Sequence, residues 1–69
     1  MADNPGRIQV AVRAVTALRV LRTQRPTLQT LAAELGTSER TARRYIEAIE
    51  AARIPVERTG EHYRVTGGW

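Results

Sequence analysis

Between Thr27 and Glu50 the chain runs TLQTLAAELGTSERTARRYIEAIE, two blocks of helical apolar spacing separated by one glycine. Leu28, Leu31 and Leu35 recur at three- and four-residue intervals, which places them on one face of a first helix. Thr27, following Pro26, offers the side-chain oxygen that caps such a helix. Gly36 stands where the helix end needs a left-handed residue, because glycine carries no Cβ to make that conformation costly. Ser38 can cap a second helix, with Ala42, Ile46 and Ile49 as its buried face and Tyr45 packing with the hydroxyl at the core's edge. Ala32 is small where two steeply crossing helices must approach through a short turn. Packing uses up these positions and leaves Ser38, Glu39, Arg40, Arg43, Arg44 and Glu47 facing mostly outward. A helix that presents arginines to solvent beyond a tight turn makes DNA the leading partner. The alternative is a plain helical hairpin with a solvated charged face.

After Ala52 the period changes. Ile54 and Val56 alternate with Pro55 and Glu57, residues Thr59 to His62 interrupt, and Tyr63 and Val65 alternate with Arg64. This pattern predicts two short strands and a turn. Pro55 lacks an N–H for a ladder, so it belongs at the start or edge of its strand. A helix-turn-helix followed directly by such a hairpin is the plan of a winged helix, a mainly α fold with a small β-hairpin. Arg58 and Arg64 are expected to flank the wing tip.

From Thr27 to Val65, over half the chain, the sequence resembles the winged helix-turn-helix of bacterial DeoR-like and WYL-domain transcription regulators, and more distantly the DNA-binding domain of the biotin-operon repressor. The matching residues are Leu31-Ala32-Ala33-Glu34-Leu35-Gly36, then Ser38-Glu39-Arg40-Thr41-Ala42-Arg43-Arg44, then Ile46, Ile49, Glu50 and Ala51. Ile54-Pro55-Val56 and Tyr63-Arg64-Val65 match the wing. Three positions depart from the family's pattern. Tyr45 replaces an acidic residue, Arg53 replaces a glycine before the wing isoleucine, and His62 replaces a glycine before the wing tyrosine. The last departure touches the geometry of the turn.

At 69 residues without cysteine, the chain is expected to form one domain with a small core and no staple. It divides into a bracing helix over 7–24, hairpin helices over 27–35 and 38–52, a wing over 54–65 and a flexible tail over 66–69. The absent cysteines are consistent with a reducing compartment. No apolar run approaches a membrane span and no signal-peptide pattern is present, so a cytoplasmic protein with no membrane partner is expected. The resembled regulators carry a further sensing or oligomerisation domain, so no small-molecule effector is expected of this chain. With one histidine and dispersed carboxylates, no nucleophile–base pair, metal site or cofactor site can be assembled, and an enzyme is not expected.

The net charge of +4 comes from eleven basic residues, all arginine, against seven acids. Arginine's planar fork pairs bidentately with phosphate or with guanine O6 and N7, whereas GC-rich coding alone also explains missing lysine. Placement carries more than number. Residues 26–52 hold three arginines and four acids, with Arg40, Arg43 and Arg44 near the start of the second helix and Glu47 and Glu50 further along.

In helix-turn-helix docking, the recognition helix enters the major groove by its N-terminal turns. Arg40 and Arg43 are then the candidates for base edges, with Arg43 preferred for guanine. Glu39 either accepts from cytosine N4 or simply favours the helix dipole. Ser38 and Thr41 suit phosphate contacts, as do the backbone N–H groups from Thr27 to Gln29, while Thr37 and Ser38 can equally be caps alone. Arg44 is expected on the backbone, or paired with Glu47 or Glu50. Arg58, Arg64 and, more weakly, His62 are the wing's phosphate candidates.

The first helix opens after Asn4-Pro5-Gly6. Ile8, Ala11, Val12, Val15 and Leu18 share one arc, yet Val10, Ala14, Ala17 and Leu21 extend the apolar surface beyond one contact face. Either the helix is sandwiched between hairpin and wing, or the surplus arc pairs with a second chain in a two-fold dimer suited to a palindromic site. Arg13 and Arg19 are further backbone candidates, and Trp69 is expected to fold back beside this helix. The sequence favours a small DNA-binding regulator, bacterial or phage-borne and repressing by occlusion, with an excisionase-like architectural role inside the same reading. A winged-helix protein adaptor is the alternative.

Overall fold

The computed structural model describes residues 5–66. Helix α1 spans Pro5–Thr23, α2 Leu28–Leu35 and α3 Glu39–Ala51, followed by strands β1 Val56–Thr59 and β2 His62–Val65. The strands form one antiparallel pair with Val56 opposite Val65 and Thr59 opposite His62. This is a winged helix: three helices and a two-stranded hairpin. The Asn4 start signal and the placement of Trp69 lie outside the described residues.

The hairpin of helices is built as its spacing predicts. Thr27 Oγ1 accepts from the Thr30 N–H at 3.1 Å to cap α2. Gly36, at φ 67°, closes that helix, with its own N–H donating to the Ala33 carbonyl and the Thr37 N–H to the Ala32 carbonyl. Leu31, Ala32 and Leu35 of α2 meet Ala42, Ile46 and Ile49 of α3 in one buried cluster, with Leu28 and Tyr45 half-buried at its margin. Ala42 is fully buried and Ala32 nearly so, which is where the two backbones need small side chains.

Helix α3 ends in the same motif as α2, with an arginine in the glycine's place. The Arg53 N–H donates to the Glu50 carbonyl and the Ile54 N–H to the Ile49 carbonyl, reproducing the bonds around Gly36 and Thr37. Buried Ile54 and Ile49 supply the apolar contact that accompanies this closure. Arg53 therefore sits at φ 67°, the one left-handed non-glycine residue among those described. Here lies the physical meaning of the departure from the family's glycine. The position demands a conformation costing roughly 1–2 kcal/mol for a residue with a Cβ.

The first helix corrects one expectation. Its packed face is Ala17, Val20 and Leu21, with Ala14 and Leu18 half-buried, and it is covered by α2, α3 and β2 only along this C-terminal half. Residues 7–12 are all exposed. The arc of Ile8, Ala11, Val12 and Val15 lies roughly opposite the packed face at 100° per residue, and Ile8, Val12 and Val15 are 50, 53 and 67% exposed. The sandwich between hairpin and wing thus accounts for half of the helix and leaves a second apolar stripe uncovered. Val20, the middle of the true packing face, carries no signal distinguishable from its apolar neighbours.

The wing is also joined differently from the sequence expectation. His62 belongs to β2, and the turn is the pair Gly60-Glu61, with Gly60 at φ 63° as the first position of a two-residue hairpin loop. The segment between α1 and α2 adds a third backbone strip. Thr27 bridges His62, the Tyr63 N–H donates to the Pro26 carbonyl at 2.9 Å, and His62 Nδ1 lies 2.7 Å from the Arg25 carbonyl. An accepting carbonyl requires that this nitrogen carry the proton. At the far end of the hairpin from its turn, Pro55 precedes β1 and its carbonyl accepts from the Thr66 N–H, carrying the β1–β2 pairing one step further.

Two substitutions test the paired helix ends in urea denaturation. Arg53→Gly is expected to stabilise by about 0.5–1 kcal/mol, the left-handed penalty less glycine's greater unfolded-state entropy. Gly36→Ala is expected to destabilise by about 0.5–1 kcal/mol, the same difference in reverse, although nothing lies within 4 Å of the added Cβ. A stabilising Gly36→Ala would contradict this account of both ends. Leu31→Ala empties a fully buried site and should cost about 2–5 kcal/mol.

Candidate nucleic-acid interface

Ser38 closes the turn between α2 and α3. Its Oγ accepts from the Thr41 N–H at 3.2 Å and its hydroxyl donates to Thr41 Oγ1 at 3.1 Å, while the Thr37 hydroxyl donates to the Ser38 carbonyl. Both residues named as caps are therefore engaged in the turn itself. Thr41 accepts from Ser38, which leaves its own hydroxyl proton for an outside acceptor. At the start of α2, the Thr27 hydroxyl donates to Thr30 Oγ1, and the Thr27 carbonyl accepts from the Leu31 N–H. The N–H groups of Leu28 and Gln29 stay at the helix's open end, where an anion is favoured.

Glu39, Arg40, Arg43, Arg44 and Glu47 are all exposed on α3. They divide by angle. Arg40, Arg44 and Glu47 crest the side away from Ala42, Ile46 and Ile49, while Glu39, Arg43 and Glu50 lie on the flank turned toward α2 and the wing. The alternative of Arg44 paired with Glu47 or Glu50 is not formed, since the one ion pair among the described residues is Arg64 to Glu57. The three arginines thus carry their full charge outward, and Glu39 sits in the first turn of α3 where the helix dipole favours a carboxylate.

Wing and hairpin meet in a cleft of about 230 Å³ lined by Thr27, Leu28, Gln29, Glu39, Arg43, Arg58, Glu61 and Tyr63. Thr27, Glu39, Arg43 and Arg58, chosen from sequence on separate grounds, are brought together here. A shallower depression beside it adds Arg40. Leu28, Glu61 and Tyr63 were not foreseen as members. Tyr63 was traceable, because alternation along the pair places it on the same side as Arg58, its partner across the ladder.

The same alternation separates the two wing arginines. Val56, Arg58, Tyr63 and Val65 share one side of the ladder, and Glu57, Thr59, His62 and Arg64 share the other. Arg58 reaches over the Tyr63 ring, 5.6 Å from its centroid, and its Nε donates to the Gly60 carbonyl at 2.9 Å. Arg64 lies with Nη2 3.9 Å from Glu57 Oε1 and borders a separate notch with Arg25 and His62. Of the two arginines expected to flank the wing tip, each therefore occupies its own side of the ladder, and a neighbouring carboxylate screens Arg64.

Ser38→Ala and Thr27→Ala should each cost about 1 kcal/mol through the lost cap. Glu57→Ala should change stability by less than about 1 kcal/mol, because its pairing with Arg64 is solvent-exposed. Thermal unfolding followed by circular dichroism separates the two cases.

A family model described as an HTH domain matches residues 13–64, which takes in the second half of α1, both hairpin helices and nearly all of the wing. No curated protein and no solved structure matches the chain at a significant level.

Proposed function

Because the chain belongs to the HTH-domain family and is a winged helix-turn-helix DNA-binding domain of the transcription-regulator kind, we propose that it recognises a specific double-stranded sequence. In this reading the N-terminal turns of α3 enter the major groove and the wing lies on the adjacent backbone. Occlusion of a promoter is then the simplest regulatory act, and the cytoplasm its place. The observation that carries the reading is the set of three exposed arginines, Arg40, Arg43 and Arg44, without an acidic partner within ion-pair distance among the described residues. An adaptor for protein partners has no use for such a cluster at that end of the helix.

The roles follow from position. Arg43 and Arg40 approach base edges, Arg43 from the flank where Glu39 stands beside it and can accept from cytosine N4. Arg44, on the crest, meets phosphate. Thr41 and Ser38, with the open N–H groups at the start of α2 after Thr27, hold the backbone. Arg58 is the wing's principal phosphate contact because it shares the cleft with Arg43, and Arg64 contributes less from the other side, partnered by Glu57.

A randomised duplex library, bound at two salt concentrations and sequenced, tests this. Wild type should enrich one motif, with affinity falling as salt rises. Arg43→Ala should relax preference at one base position, by about 1–3 kcal/mol. Arg44→Ala should weaken all sequences alike and lower the salt slope by about 1. Arg58→Ala should cost more affinity than Arg64→Ala. Absence of any enriched motif at either salt concentration sinks the sequence-reader.

A further inference from the structure

The uncovered side of α1 has two unlike halves. At 100° per residue, Arg19 and Arg22 fall within the same arc of about 100° as Ile8, Ala11, Val12 and Val15. The face is therefore apolar over its first two turns and cationic over its last, and it runs about 21 Å from Ile8 to Arg22. Ile8, Val12 and Val15 are half exposed or more, both arginines are exposed, and neither arginine has an ion-pair partner among the described residues. The opposite side of the helix joins the core that α3 closes with its own buried face, so this arc and the arginine crest of α3 turn outward from different sides of the molecule. With α3 and the wing on DNA, the α1 face stays free. We infer that it docks an amphipathic helix of a protein partner, laid antiparallel to α1, with apolar side chains over Ile8, Val12 and Val15 and the carboxylates of its first turns against Arg19 and Arg22.

Charge and order along the face select this occupant. Among its described residues α1 carries arginines and no acid, so the same helix of a second copy supplies nothing for Arg19 and Arg22 to pair with. A lipid surface takes a whole arc as its apolar side and would draw both arginines in among the valines. Interfacial helices keep such residues on the polar face and carry aromatic anchors, and the described part of α1 has no aromatic residue. Nucleic acid answers the arginines but sets charged phosphate against the apolar turns. A partner helix answers both halves in turn. Its carboxylates come first because acidic side chains are favoured at a helix N-terminus, and antiparallel packing brings that end beside the last turn of α1, where Arg22 stands. The contact is short beside the roughly 800 Å² per partner of a stable complex, so binding is weak and falls as salt rises.

The probe is a fluorescein-labelled synthetic peptide about four turns long, with glutamates in its first two turns and leucines at i, i+3, i+4 and i+7 in the rest. Binding is read by fluorescence anisotropy without DNA, so the outcome is separate from that of the sequence-reading proposal. Wild type should bind the peptide, and Ile8→Gln/Val15→Gln and Arg19→Gln/Arg22→Gln should each weaken binding roughly tenfold. All four positions are exposed and glutamine is a good helix former, so both variants keep the fold, which far-ultraviolet circular dichroism checks. Arg40→Gln/Arg44→Gln removes the same charge from α3 and should leave peptide affinity within about twofold. A peptide of the same composition with leucines first and glutamates last should bind several-fold more weakly. Equal losses in the two arginine variants report a general attraction to arginine and overturn the inference, as does equal binding of the two peptides or no binding by wild type. Self-association, or capture on phosphatidylserine vesicles, that Ile8→Gln/Val15→Gln abolishes while the peptide stays unbound also overturns it and assigns the face to a second copy or a lipid surface.

Discussion

The position of the wing depends on three ties to the strip between α1 and α2, two through backbone and one through the His62 ring. A two-stranded hairpin is marginal by itself in water, and this one leans on the strip between α1 and α2 through the Tyr63–Pro26 hydrogen bond, the Thr27–His62 bridge and the His62–Arg25 contact. Thr27 is at once the cap of α2 and the neighbour of β2. The open end of α2, the flank of α3 and the wing's Arg58 are therefore held around one cleft by the same few residues. Loosening that strip would move the wing and the first turn of α2 together.

Electrostatically the molecule is divided along its length. The helix α1 is purely cationic over its described residues, whereas α3 alternates arginines at its start with glutamates toward its end. The cleft itself mixes signs, with Glu39 and Glu61 beside Arg43 and Arg58. A uniformly basic groove would bind any polyanion. In the proposed docking, carboxylates among the arginines penalise misplaced phosphates and favour registers in which each acid meets a donor, so the mixture trades general affinity for discrimination.

Much of this was legible in the sequence where one residue type answers one physical demand. Thr27, Gly36 and Ser38 mark helix ends because few residues do those jobs, and Leu31, Leu35, Ala42, Ile46 and Ile49 repeat with a single period because each helix buries one face. The first helix defeated the same logic, since apolar residues on two opposite faces erase the period that would tell the core side from the free one. The tie at Pro26 left no trace either, as a carbonyl that accepts one hydrogen bond makes no demand on its side chain. Arg53 was visible only as a departure from a resembled family, and its left-handed backbone gives that departure a cause. Separating Arg58 from Arg64 required only strand alternation.

The stacking of Arg58 on Tyr63 and its bond to the Gly60 carbonyl also bears on the thermodynamics of recognition. A long cationic side chain that must be immobilised on binding loses about 0.5–1.5 kcal/mol of conformational entropy. Arg40, Arg43 and Arg44 stand exposed with no hydrogen bond to fix them among the described residues, so ordering them opposes complex formation. Arg58 has already surrendered that freedom during folding. The wing consequently offers a preorganised charge beside an adaptable helix, which in the proposed docking divides the surface into a rigid clamp and a side-chain array free to adjust.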